Sequence, residues 1–168
     1  MNRMIETERL ILRPMTVDDA QAAFVWLSDP RVNRYMPYPL YASLSQAEKW
    51  IASQKESDNE FIFCLKDSGT AIGAGSIKQQ EVGCWEVGYN LRFDYWGKGY
   101  ATEAAKALIH WAYKYHNARH FVAAHVTENT ASGKVLKKCG YQFDHYGQYS
   151  RYDESEVFDA SFYTMTLE

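Results

Sequence analysis

Apolar residues recur along the chain with two different periods, and the switches between them predict the order of elements. The dense run Glu8 to Met15, ERLILRPM, stops at Pro14 and predicts a first strand. Thr16-Val17-Asp18-Asp19 has the form of a capping box, and Ala20, Phe24, Val25 and Leu27 follow at helical spacing, so a first helix is expected to about Ser28. After the aromatic connector NRYMPYPLY, the Ser45-x-x-Glu48 spacing predicts a second helix carrying Trp50 and Ile51. Three apolar runs come next, Glu60 to Lys66, Ala71 to Gln80 and Cys84 to Leu91. The turn sequences Asp67-Ser68-Gly69-Thr70 and Glu81-Val82-Gly83 divide them, which predicts a meander.

Ala101, Ala104, Ala105, Leu108, Ala112 and Tyr115 return to helical spacing, predicting a third helix over residues 100–115 that Asn117 ends. Phe121 to Val126 reads as a strand. A fourth helix should begin at Asn129 or Thr130 and close at Gly140, the usual C-terminal glycine position. Tyr141 to Phe143 and Ala160 to Leu167 close the chain as two strands around a polar connector. The order β-αα-βββ-α-β-α-ββ is mixed α/β, α+β-like, and with no repeat or Gly/Ser linker it defines a single domain over residues 1–168.

Composition narrows the classes. With 168 residues, 46% apolar and 15% aromatic, the chain can bury a full core. Its net charge of −3 is spread without single-sign blocks, so neither a nucleic-acid footprint nor an anionic-membrane face is expected. The start MNRMIETERL lacks a secretory apolar core and no window is apolar enough for a membrane span, which predicts a cytoplasmic protein. Cys64, Cys84 and Cys139 lack C-x-x-C spacing, so reduced and mostly buried thiols are expected. The five histidines show no metal-like spacing, no metal is expected, and no Gly-x-Ser-x-Gly elbow argues for a hydrolase.

The chemistry concentrates in DYWGKGYATEA. A strand end, two glycines and a helix start bring unpaired N–H groups and the positive end of a helix dipole to one point, which suits a phosphate. Gly97 and Gly99 would let a bulky anion approach the main chain, with charge added by Lys98 and Arg92; the alternative is a plain turn with a solvated lysine. A Walker loop is excluded because Tyr100 follows Gly99. A Rossmann fingerprint lacks its third glycine and its crossover unit.

The run Trp96-Gly97-Lys98-Gly99-Tyr100-Ala101 instead resembles the Q/R-x-x-G-x-G/A loop of the GNAT N-acetyltransferase superfamily. TERLILRPMTVDDA, WEVGYNL, GKGYATEA and ENTASGKVLKKCGY, in that order, are similar to the RimJ/RimL-type branch over nearly the whole chain. The one departure is Trp96, where the superfamily usually has Gln or Arg. The resemblance implies a GNAT fold with a mostly antiparallel twisted sheet of about seven strands flanked by four helices. It also implies acetyl-CoA as cosubstrate, its pyrophosphate held by main-chain amides from Trp96 through Gly97, Lys98, Gly99, Tyr100 and Ala101 to Thr102. The strand bearing Tyr89, Asn90 and Leu91 would pair with the pantetheine arm, and an amide near Asn90 or Leu91 would polarise the acetyl carbonyl.

Transfer of acetyl from a thioester to an amine requires a base for the amine and a group to serve the leaving thiolate. Glu86, in the middle of an otherwise apolar strand and five residues ahead of the expected splay, is the candidate base. It could equally hold the acceptor amine, point to solvent or order a loop. Many relatives carry a tyrosine acid just after the leucine of the fourth helix, a place taken here by Lys137, so the resemblance passes the thiolate to Ser132. A capping role for Ser132 is the alternative, and Asn129 could cap the helix or touch the pantetheine amide. Lys134 suits a solvated helix face better than a CoA phosphate.

The acceptor is expected between the connector NRYMPYPLY and the acidic segment RYDESEVFD, where aromatics and carboxylates suit a cationic amine, although a core tyrosine cluster beside a solvated loop reads as well. Relatives acetylate protein N-termini, polyamines and other small amines, and dimers are common among them, so a homodimer is admitted. The competing reading is a non-catalytic acyl-CoA-binding or regulatory domain.

Overall fold

The computed structural model describes residues 3–54 and 57–168. Eight strands among the described residues form one sheet, lying in chain order except that the last two are exchanged, and every neighbouring pair is antiparallel but the fifth and sixth. The expected first strand is present, and a further two-residue strand precedes it. Thr7 N–H donates to the Leu10 carbonyl at 2.9 Å and closes a tight turn, leaving β1 (Ile5–Glu6) and β2 (Leu10–Pro14) as separate strands. This turn accounts for the eighth strand.

Helices are also more numerous than the four expected. The Thr16–Asp19 capping box is present, but it opens a 3-10 turn, Val17–Asp19, ahead of α1 (Ala20–Leu27). Asp29 then caps a one-turn helix, α2 (Pro30–Asn33), that leads into the aromatic connector. The next helix, α3 (Leu44–Ser53), is capped two residues earlier than expected: Ser43 and Gln46 form the box, and Ser45-x-x-Glu48 does not. A short polar side chain before a helical run fits either register.

The meander is β3 (Glu60–Leu65), β4 (Ala71–Glu81) and β5 (Cys84–Leu91). α4 (Tyr100–His116) runs to Asn117, which ends it in a left-handed conformation. β6 (His120–Val126) leads into α5 (Thr130–Cys139), with Asn129 at its N-cap and Gly140 after it. Of the closing strands, β7 (Gln142–Ser150) and β8 (Val157–Thr166), the first is much longer than expected, because its polar residues face solvent at the sheet edge rather than forming a loop, while β8 starts three residues early.

Two apolar layers cover the sheet. On one face α4 and α5 bury Leu108, Trp111 and Leu136 against Phe61, Phe63, Ile77 and Phe121. On the other, α1 and α3 bury Trp26, Leu27 and Ile51 against Ile62, Cys64 and Ala74. Side chains alternate across a strand, so each residue of β5 is assigned to one layer: Trp85, Val87 and Leu91 to the first, Glu86, Gly88 and Asn90 to the second. Cys64 is buried, Cys84 and Cys139 are half-buried, and all three are free. No helix among the described residues is long and apolar enough to cross a membrane.

Candidate active site

β5 and β6 run parallel and part company early. Their register holds from Cys84 with His120 to Glu86 with Val122, and beyond that point the strands are no longer paired. The fork therefore opens at Glu86 itself, five residues sooner than the sequence suggested. The N–H of Arg92 donates to the Ile72 carbonyl of β4. By alternation the main chains of Asn90 and Gly88 also face β4, while those of Val87, Tyr89 and Leu91 face the fork. Of the run Tyr89-Asn90-Leu91, then, Asn90 is withdrawn from the fork by its main chain. The Leu91 carbonyl is taken by the Trp96 indole N–H at 2.9 Å.

Trp96 thus shapes the loop from the position where a Gln or Arg was expected, packing against Phe93 with ring centroids 4.9 Å apart and ring planes tilted by 52°. Gly97 and Gly99 have φ of 72° and 83°, a region costly for any residue with a Cβ. Among the described residues the amides of Gly97, Lys98, Gly99, Tyr100, Ala101 and Thr102 donate to no backbone carbonyl, and no side chain caps α4. They converge at the positive end of a 17-residue helix. That is an anion cradle without a protein anion in it.

Arg9, not among the residues expected at the site, holds this cradle. Its Nη1 donates to the Lys98 carbonyl at 2.9 Å, and its guanidinium lies 4.2 Å from the Tyr100 ring centre. Its amide and Nε each donate to Glu103 at 2.8 Å. Burial works against ionisation of Glu103, but the Thr7 hydroxyl and Arg9 outweigh it and hold the carboxyl below its ordinary value. Such a brace joins residues about ninety apart in sequence, out of reach of any local pattern. Arg92 pairs instead with Asp94 at 2.8 Å.

On the α1/α3 face, Glu86, Gly88 and Asn90 stand in a row. Glu86 accepts from the Gln80 amide, and burial pushes its carboxyl above the usual range while Gln80 and Lys78 pull it back. Lys78, opposite Glu86 in register, is paired with the nearly buried Glu60. Space above Gly88 is open, its nearest neighbour there being Ser76 Oγ. Asn90 Nδ2 donates to Tyr38 Oη at 2.6 Å, and its Oδ1 is buried without a partner among the described residues.

The connector and the acidic segment form one wall beside this row. Arg151 donates to the carbonyls of Met36 and Arg34 at 2.8 and 2.9 Å, and the Tyr152 amide donates to Pro37. Glu156 is neutralised by Arg34 and Arg151, so of the four acids expected to meet a cationic amine one is already paired.

Across the fork, Ser132 lies in the first turn of α5 with its amide 3.4 Å from Asn129 Oδ1, and Asn129 is the cap. Ser132 Oγ is 3.1 Å from Tyr89 Oη. Lys134 and Lys137 are exposed on the outer side of the helix. His125 is buried under α5, with Nδ1 against the Val126 carbonyl at 2.7 Å, a structural place in the core. No group of three or more His, Cys, Asp or Glu side chains among the described residues is placed to hold a metal ion.

A forked parallel pair, an open amide cradle beyond it and flanking helices define an acyl-CoA-binding transferase architecture, and comparison with known proteins agrees. Residues 9–142 match the family model for the acetyltransferase (GNAT) domain. An uncharacterized N-acetyltransferase, p20 of Bacillus licheniformis, is 35% identical over 143 residues, covering 81% of this chain and 80% of that protein. The crystal structure of a GNAT-family acetyltransferase from Bacillus anthracis superposes with a TM-score of 0.89 at 24% identity, over 97% of this chain and 98% of that one. RimL, a ribosomal L7/L12 alpha-N-protein acetyltransferase solved with coenzyme A, superposes with a TM-score of 0.81 at 18% identity, over 98% of each chain. The chain belongs to the GNAT acetyltransferase family. It is an acetyl-CoA-dependent N-acetyltransferase.

Proposed function

We propose that the protein transfers acetyl to a primary amine, such as a protein N-terminus or a polyamine, by direct attack in a ternary complex, and that it belongs to the RimJ/RimL-type branch. The observation carrying this reading is the fork: β5 and β6 separate just after Glu86, opening the sheet between a carboxylate and a cradle of unpaired amides. The likeness of the chain's motifs to that branch, and the fold shared with RimL, support the placement.

In this reading the loop amides from Gly97 to Thr102 take the pyrophosphate. The fork-facing main chains of Val87, Tyr89 and Leu91 take the pantetheine arm as an added strand. The Leu91 amide, at the open end, polarises the acetyl carbonyl. The acceptor enters from the α1/α3 face over Gly88, between Glu86 and Asn90. Four residues of strand span about 13 Å, which leaves room for a nitrogen between the two inward-leaning side chains.

An amine arrives protonated at neutral pH and attacks only as the free base. Glu86 takes that proton, directly or through a water. Its raised proton affinity brings it nearer to an amine than an exposed carboxylate would be. Ser132 donates a hydrogen bond to the departing sulfur.

The test is release of free thiol from acetyl-CoA with a panel of amines: spermidine, a serine-starting peptide, an alanine-starting peptide and free lysine. Turnover with at least one is expected, falling roughly 100-fold or more in Glu86→Gln with coenzyme A affinity retained. Full turnover in Glu86→Gln would overturn the role of Glu86, and no turnover with any amine class would overturn the acceptor assignment.

A further inference from the structure

We propose that Tyr89 is a positioning residue for the leaving sulfur: its hydroxyl donates to Ser132 Oγ and so turns the Ser132 proton into the fork. The inference rests on the transferase reading above and deepens it at one bond. The contact, 3.1 Å between the two hydroxyl oxygens, leaves the direction of donation open. A serine hydroxyl has a single proton. Were Ser132 to donate to Tyr89, its one proton would be used there and Ser132 itself could not serve the sulfur. With Tyr89 donating, the Ser132 proton is free to point where no protein acceptor lies, since Ser132 Oγ has no other hydrogen-bond partner among the described residues.

Placement on the strand supports that direction. Tyr89 sits three residues past the last β5–β6 pair and its main chain faces the fork, while its ring crosses the layer of α4 and α5 to reach the first turn of α5. One residue thus touches both the path of the thioester arm and the serine that must face its sulfur. Ser132 is fixed from its other side by the Asn129 cap, so its backbone is set and only the hydroxyl torsion needs a guide.

Tyr89 guides without giving up its proton. Burial pushes its phenol up to about 12, with the Ser132 bond pulling back, whereas an ordinary thiol ionises near 8.5. The thiolate is therefore too weak a base to take the phenol's proton. In the transfer the amine nitrogen bonds to the acyl carbon, the carbon–sulfur bond breaks, and the electron pair leaves on sulfur. The ammonium proton has already passed to Glu86, the second proton that the nitrogen sheds as the amide forms goes to solvent water, and both hydroxyl protons stay on their oxygens.

Calorimetric titration with coenzyme A and with desulfo-coenzyme A, from about pH 7 to about pH 10, tests this without turnover. In the wild type, coenzyme A should gain on its desulfo analogue by roughly tenfold as the thiol ionises, the worth of one charge-assisted hydrogen bond. Tyr89→Phe should lose most of that gain and leave desulfo-coenzyme A affinity unchanged. Ser132→Ala should lose all of it, and the double variant should match Ser132→Ala. In steady-state assays Tyr89→Phe should lower kcat with the KM for acetyl-CoA unchanged. Tyr89→Phe retaining the full thiolate preference, or worsening Ser132→Ala further, would overturn the proposal. Failure of the wild type to bind either ligand would instead overturn the transferase reading on which it stands.

Discussion

The Arg9 guanidinium donates to the Lys98 carbonyl across 2.9 Å, tying the start of the sheet to the cradle at the mouth of α4. The carbonyl so held points away from the open amides, which fixes the peptide plane between Lys98 and Gly99 before any anion arrives. Arg9→Ala should therefore act on binding more than on folding. A partly exposed ion pair contributes at most about 1 kcal/mol to stability. Ordering one loop residue on binding costs about 1–2 kcal/mol, roughly tenfold in the Kd of coenzyme A. Thermal unfolding and calorimetric titration read the two effects separately, and a large loss of melting temperature with unchanged affinity would contradict the bracing role.

The same brace is sensitive to acid. Glu103 accepts from Thr7 Oγ1 at 2.6 Å as well as from Arg9, and these partners hold its carboxyl below its ordinary value. A depressed carboxylate contributes stability that is complete above its unfolded value and is lost as pH falls through the folded one. Coenzyme A affinity should accordingly weaken on the acid side of the ordinary carboxylate range. Glu103→Gln should bind more weakly at neutral pH and show a flatter profile there.

Local pattern revealed most elements, and physical reasons separate what it showed from what it did not. The β5 run Cys84–Leu91, the α4 run and the Gly140 stop carry periodicity or backbone demands that only one structure satisfies. The α3 cap was misread because several short polar residues in a row offer equivalent caps, and the two-residue β1 is too short to carry a pattern of its own. The two closing strands were legible but the full length of β7 was not, because an edge strand with a polar outer surface lacks the apolar run that marks a buried one. At the site, the glycines and Glu86 stood out by type. Arg9, Tyr38 and the Tyr89–Ser132 contact did not, since each depends on residues brought together from 43 to 89 positions apart.

Glu86 predicts a pH profile. Its carboxyl is raised by burial, and a base works only when deprotonated, so kcat/KM should fall as pH drops through a value above the usual carboxylate range. Glu86→Asp should keep that acid limb while lowering the rate, and Glu86→Gln should abolish it. An unchanged acid limb in Glu86→Gln would assign the ionisation elsewhere.

Gly133 predicts a stability effect next to the site. A Cβ there would come within 2.8 Å of His125 Nε2, and His125 is itself buried and hydrogen-bonded. Gly133→Ala must push α5 away from β6, an overpacking cost of about 1–3 kcal/mol. In a domain of this size the melting temperature should fall by roughly 2–12 °C. Because Ser132 moves with the helix, turnover should fall as well, whereas Lys134→Ala on the exposed side should change neither.

Asn90 separates the acceptor side from the cofactor side. Its Nδ2 donates to Tyr38 Oη at 2.6 Å, which leaves its buried Oδ1 as an acceptor with no donor among the described residues. An unmet acceptor costs about 1–3 kcal/mol in the free protein, and an amine N–H arriving over Gly88 would recover part of that. Its main chain faces β4, so removing the side chain leaves the fork intact. Asn90→Ala should raise the KM for the amine by up to about tenfold with the KM for acetyl-CoA unchanged. Tyr38→Phe, which frees the amide to rotate, should produce a smaller shift of the same kind. A rise in the acetyl-CoA constant instead would mean that Asn90 serves the pantetheine arm, and that the acceptor is held by the Glu86 end of the row alone.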